Sequence, residues 1–241
     1  MPQRMQSQPI NGRMFPFLPA RLSQELKREF KIAVSRLRYA RRTRAQLSEM
    51  RACRVNVGCG RRPVNGWINL DLFRSQEVYF WDCRHGLPFQ DNSVAAIYSE
   101  HAFEHFEVES EAKPFLRECL RCLIPGGVLR LVVPDAGAYL ESYGKDWETF
   151  ARMRPLQRVQ NGWRDSWLGA VYSTQMQFIN AVFRQGNQHK YAYDAETLVA
   201  MVMEAGFANA LEKQCGDSCD PLMVPDRLDR STESLYVEAL K

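Results

Sequence analysis

No stretch of the 241-residue chain holds the roughly 18 consecutive apolar residues of a membrane-spanning helix, which argues against an integral membrane protein. The opening residues, MPQRMQSQPINGRMFPF, lack an apolar stretch followed by a small-residue cleavage site. No secretory signal is therefore expected, and the reading is a cytoplasmic protein. Cysteine occurs seven times, an odd number scattered through the chain, which argues for reduced thiols rather than a disulfide framework. Histidine is scarce. The four residues His85, His101, His105 and His189 are the whole supply of groups that titrate near neutrality. No internal repeat occurs, and no HExxH order of a zinc protease.

Apolar residues at 45% and charged residues at 25% describe an ordinary globular chain. Charge is unevenly placed. Residues 1–50 carry 11 Lys and Arg against 3 Asp and Glu, whereas the other 191 residues carry 21 against 25. The basic pI thus comes from the N-terminal extension, and a mildly acidic body gives no strong nucleic-acid signal. Residues 1–20 read as a flexible arm. From Ser23 to about Arg44, Leu22, Leu26, Phe30, Ala33, Val34 and Leu37 recur at helical spacing among Lys27, Arg28, Lys31, Arg36 and Arg38. The expectation is a helix that docks this apolar stripe on the body. A peripheral contact with an anionic membrane, or an oligomer contact such as a homodimer, is the alternative use of the same helix.

Beyond Arg51, strand and helix patterns alternate: strands at Cys53–Val57, Trp67–Leu72, Val78–Trp81, Val94–Ser99, Val128–Val133 and Leu235–Leu240, and helices at Glu111–Leu123 and Asp194–Ala205. Pro125-Gly126-Gly127 stops the first helix, and Asp194 is placed to cap the second. Such alternation implies an α/β, doubly wound, mainly parallel sheet. Residues 51–241 form one domain on this reading, with 136–190 as a helical lid insertion. It is rich in aromatics (Tyr139, Trp147, Trp163, Tyr172, Phe178) and in arginine, and is expected to cover an acceptor site.

The strongest local signal is VNVGCG followed by GWINLDL. A strand ending in Gly-x-Gly turns sharply and lets backbone approach a ligand, and Asp71 at the end of the next strand can accept from both hydroxyls of a ribose. Gly60 and Asp71 stand 11 residues apart and the third glycine of a dinucleotide fingerprint is replaced by Arg61-Arg62-Pro63, which argues against NAD or FAD. Then follow DCRHGLPF, DNSVAAIYSEHAFEHF and LRECLRCLIPGGVLRLVVPD. In this order the motifs resemble the class I S-adenosylmethionine-dependent methyltransferases, in particular the compact type 11-like branch, over about residues 53–135 and 189–240.

The resemblance implies a Rossmann-like sheet of seven strands and S-adenosylmethionine as cofactor, with S-adenosylhomocysteine as product. It implies Gly58, Cys59 and Gly60 along the methionine part, Asp71 and Leu72 at the ribose, Asp82 and Cys83 at the adenine, and Glu100 with His101 beside the methyl-transfer site. Arg61 or Arg62 could hold the cofactor carboxylate. A hydroxyl acceptor would need a base, for which His101 comes first and His189 second. No metal is assigned: His101, Glu104 and His105 share one side of a short helix without a known ligand order, and Cys119 and Cys122 read as core thiols. The expected reaction is O-methylation of a small molecule or glycan. The rivals are a non-catalytic S-adenosylmethionine-binding module and an RNA methyltransferase guided by the basic arm.

Overall fold

The computed structural model describes residues 20–223 and 225–241. The flexible arm expected at the extreme N-terminus therefore lies almost wholly outside the described residues. A long helix α1 (Ala20–Leu47) precedes the first strand. Strands β1 (Cys53–Val57), β2 (Ile68–Asp71), β3 (Val78–Phe80) and β4 (Val94–Glu100) follow, then helix α2 (Lys113–Cys122) and β5 (Leu123–Pro134). After an insertion come α6 (Ala195–Glu204), β9 (Asn209–Lys213) and β10 (Ser234–Leu240). Within the insertion lie α3 (Ala136–Ser142), α4 (Trp147–Met153), β6 (Leu156–Val159), β7 (Gly162–Asp165), β8 (Val171–Tyr172) and α5 (Gln175–Arg184).

Seven strands make one sheet in the order β3-β2-β1-β4-β5-β10-β9. The pairs from β3 to β5 are parallel, and β10 runs antiparallel to both of its neighbours. The chain winds outward in one direction from β1 and in the other from β4, so a crevice opens beyond the C-terminal ends of these two central strands. β1 is buried through Val55, Asn56 and Val57, as a strand covered on both faces must be.

Helix α2 presents Phe115, Leu116, Cys119 and Cys122 to the core, all within 1% of full burial. It is shorter than the sequence pattern predicts, because a π-helical turn, Val108–Ala112, leads into it and Pro114 occupies its first turn. The helix ends at Leu123, ahead of Pro125, and β5 resumes pairing with β4 after a register shift that absorbs the Pro-Gly-Gly segment. Asp194 caps α6 as expected, accepting from Thr197 N at 2.9 Å.

The insertion is not purely helical. β6, β7 and β8 form a small antiparallel sheet, and Gly162 passes so close to Tyr172 that a Cβ there would lie 2.2 Å from the Tyr172 carbonyl oxygen. Its aromatic side chains turn inward: Tyr139, Phe150, Tyr172 and Phe178 are buried together, and Trp147 stacks on Trp163 at 5.7 Å. Packing among themselves, rather than covering a ligand, accounts for most of the aromatic content of this segment.

Helix α1 also departs from the expected docking. Ser23, Ile32, Thr43 and Leu47 are the residues it buries, and Tyr39 meets Phe80 with ring centroids 6.1 Å apart. The stripe Leu22, Leu26, Phe30, Val34 and Leu37 instead faces outward, with Phe30 59% and Leu37 88% exposed. A helix can carry two apolar faces, and the one that bears Ile32, Tyr39 and Leu47 is the one turned to the body, with contacts to β3.

Candidate active site

Beyond β1 and β4 lies a cavity of about 690 Å³, a size that suits a ligand of a few hundred daltons. Gly58, at the end of β1, has φ +69°, and a Cβ there would sit 2.4 Å from the Ala102 Cβ, so the loops after β1 and β4 touch at a bare backbone. Gly60 follows at φ +56° with open space where its side chain would be, on the cavity wall.

Asp71 closes the same wall. Its Oδ2 accepts Gly60 N at 2.8 Å and its Oδ1 accepts Leu72 N at 2.6 Å. Burial raises its carboxyl above the ordinary range, opposed by these two backbone bonds. Each oxygen keeps a lone pair for a further donor, which is the arrangement that receives two vicinal hydroxyls. Asp82 caps the turn Cys83–His85 and grips Arg84, whose Nε and Nη2 lie 2.9 Å from Oδ1 and Oδ2. Burial alone would raise Asp82; the Arg84 guanidinium outweighs it and holds the carboxyl below its usual range. Arg84 is held in turn by Glu29 of α1, at 3.2 and 3.1 Å, which ties the N-terminal helix to the cavity rim.

On the β4 side, His101 takes φ +50° and reaches the cavity. Its Nε2 lies 2.9 Å from Ser234 Oγ at the start of β10, and its Nδ1 lies 3.5 Å from Glu104 Oε1. His105, to which the motifs assign no chemistry, also lines the cavity, as do Gln188 and Lys190 at the end of the insertion and Arg28 of α1. Of the insertion, only Gly186, Asn187, Gln188 and Lys190 meet the cavity.

Several expected residues stand elsewhere. Cys59 is buried behind the loop, not on the cavity wall, and burial pushes its thiol up to about 12. Glu100 also lies off the wall: burial raises its carboxyl, opposed by His101, Arg227 and Arg230. His189 is 6% exposed and sits behind His105, their rings edge-to-face at 4.8 Å. Chiefly through burial its imidazole falls to about 4, so it is neutral and shielded from the cavity. Arg61 and Arg62 are exposed and do not line the cavity, whose basic groups are Arg28, Arg84 and Lys190. Cys119 and Cys122 are fully buried with thiols raised chiefly by burial, as core residues.

The sheet order, with its one antiparallel strand next to the last position, and the acidic residues ending β2 and following β3, frame a nucleoside site. Residues 69–131 match the family described as a methyltransferase domain. The sheet is that of the class I S-adenosylmethionine-dependent methyltransferase fold. No curated protein matches it. Among solved structures, a S-adenosylmethionine-dependent methyltransferase from Archaeoglobus fulgidus overlays with 15% identity, 92% of this chain and 100% of that one covered, and a TM-score of 0.45. One from Thermotoga maritima gives 16%, 92%, 97% and 0.46. A Haloferax volcanii methyltransferase in complex with the Trm112 activator gives 15%, 87%, 93% and 0.44. Overlays this loose add nothing to the sheet order itself.

S-adenosylmethionine is the cofactor of this methyltransferase fold, and the cavity fits it. Asp71 offers a pair of free lone pairs, Gly58 and Gly60 leave bare backbone, and Asp82 with Cys83 forms the far wall.

Proposed function

We propose that this methyltransferase O-methylates a hydroxyl of a small molecule or glycan, with His101 as the base. The observation that carries this reading is the place of His101 on the cavity wall, across from Asp71 and braced by Ser234 and Glu104. Gly58, Gly60, Asp71, Leu72, Asp82 and Cys83 would hold S-adenosylmethionine, which supplies a methyl group on a sulfonium. The protein must then bind the acceptor in line, exclude water and take up its proton. The acceptor proton goes to His101 Nε2, directly or through Ser234 Oγ, while Glu104 Oε1 faces Nδ1 at 3.5 Å and orients the ring. Residues 51–241 are the catalytic unit, and the 186–190 end of the insertion is the segment placed to touch the acceptor.

Calorimetry with S-adenosylmethionine and S-adenosylhomocysteine, followed by a panel of sugars and phenols, tests the assignment. His101→Gln is expected to keep cofactor affinity while lowering turnover of the first acceptor found by about 10²–10⁴-fold. Equal turnover in this variant would remove His101 as the base. Cofactor binding with no turnover of any acceptor would favour the non-catalytic module.

The exposed stripe on α1 favours a second contact. Lys27, Lys31, Arg38 and Arg42 lie beside Leu26, Phe30, Val34 and Leu37, a basic flank next to an uncovered apolar face. That combination matches an anionic bilayer surface, where apolar burial and charge act together. Among the described residues no helix is long and apolar enough to cross a membrane. The expected result is sedimentation with phosphatidylglycerol vesicles, lost in Phe30→Glu/Leu37→Glu. RNA binding with a steep salt dependence, or a dimer that the same changes dissolve, would replace this reading.

A further inference from the structure

Behind the cavity wall, Glu104 is 2% exposed and neither carboxylate oxygen makes a hydrogen bond. A buried carboxylate is ordinarily paired, hydrogen-bonded or bound to a metal. His105 and His189 flank it, and one ligand atom from each of the three residues lies within 4.8 Å of the others. Both imidazoles have an outer anchor on the main chain. His105 Nδ1 stands 3.1 Å from the Gln188 carbonyl, so it donates there and leaves Nε2 with a lone pair. His189 hydrogen-bonds to the backbone at Val182 and turns Nε2 toward Glu104 Oε1, 3.7 Å away. Imidazoles held in this way, with one nitrogen tied to a carbonyl and the other free, are the usual ligands of transition metals.

We propose that Glu104, His105 and His189 form a binding site for a divalent transition ion of the Zn²⁺ class. Two imidazole nitrogens and one carboxylate oxygen are a common three-residue set for Zn²⁺ with one position left open. A tetrahedral zinc site needs ligand atoms about 3.3 Å apart. The 3.7 Å separation of His189 and Glu104 is already close to this, and no pair of the three ligand atoms is more than 4.8 Å apart, so shifts of about 1.5 Å would bring the set to zinc distances. Of the three, His105 lines the cavity, so the site adjoins the space where an acceptor would lie. Glu104 can serve the ion and still face His101, whose Nδ1 lies on Oε1 at 3.5 Å. The third ligand comes from 84 residues beyond Glu104–His105, which is why the local spacing of the His-Glu segment reveals no metal site. The site rests on these side chains and not on the methyl-transfer reading.

The test uses the full, tag-free chain, stripped with chelator and titrated with Zn²⁺ by calorimetry and with Co²⁺ by its visible absorption. One ion per chain is expected, with the Co²⁺ band of a low-coordinate nitrogen–oxygen site. Glu104→Gln and His189→Ala should each weaken binding by at least about tenfold. A parallel S-adenosylmethionine titration shows whether each variant is folded, and His105→Gln, altered at a partly exposed residue, serves if a buried variant is not. Absence of stoichiometric binding by the wild-type chain overturns the proposal, as does binding that survives in every folded variant. Loss of metal binding with cofactor binding intact supports it, whatever the fate of the methylation reading.

Discussion

Asp71→Ala is expected to weaken S-adenosylmethionine binding by about a hundredfold or more, measured by calorimetry on the purified chain. The alanine removes an ionised acceptor for two hydroxyls, and hydrogen bonds to a charged group contribute about 1.5–3 kcal/mol each. It also leaves Gly60 N and Leu72 N, now held at 2.8 and 2.6 Å, without their acceptor, so the loop beyond β1 loses its anchor. Asp71→Asn separates the two effects. It keeps one carbonyl oxygen for the loop but can no longer accept on both sides without charge, and an intermediate loss of about tenfold is expected. An unchanged affinity in Asp71→Ala would show that the ribose is not bound here.

Arg154→Met is expected to destabilise the protein by about 3–5 kcal/mol, read from urea unfolding. Arg154 is 4% exposed and stands between two carboxylates that water does not reach: Nε lies 2.9 Å from Asp165 Oδ2 and Nη1 3.0 Å from Glu233 Oε2. Tyr139 OH also donates to Glu233, at 2.9 Å. Removal of the guanidinium leaves Asp165 buried with no opposite charge and Glu233 with Arg230 alone. The cost is that of an uncompensated buried charge, not of a lost surface pair. A second change, Asp165→Asn, removes one of the stranded charges and should recover part of the loss. Three of the five tryptophans, Trp147, Trp163 and Trp167, lie in the insertion, so fluorescence in a background with Trp67 and Trp81 replaced by Phe reports whether it opens ahead of the sheet. A change below about 1 kcal/mol would mean that the network contributes little.

Much of the nucleotide half of the molecule was legible from residues alone. VNVGCG and INLDL carry both the apolar run of a buried strand and the glycine or acid that ends it, so Gly58, Gly60 and Asp71 could be placed without coordinates. The same holds for Asp194, whose cap is written in the residue type and the pattern behind it. Strand β9 was not legible because NALEK buries only Ala210 and lies at the sheet edge, where alternation is weak. The small sheet of the insertion was masked by its aromatics, which read equally well as helix faces or pocket walls. Cys59, Glu100 and His189 illustrate a more general limit. Each sits beside the correct segment, but which way its side chain points depends on strand alternation or on packing against residues far along the chain. The α1 stripe failed for a related reason, since periodicity marks an apolar face without saying which of two faces finds a partner.

The self-contained core of the insertion has a consequence for how this scaffold can change over generations. Its aromatic side chains support one another, its attachment to the sheet runs through the Arg154 network and the start of β10, and it meets the cavity only through residues 186–190. Substitutions at its exposed positions Gly186, Gln188 and Lys190 would alter what the cavity admits without loosening either core. On the acceptor role proposed for this tip, acceptor preference can drift among descendants while the nucleotide half stays constant, a division of labour between a part that must not vary and a part that is free to.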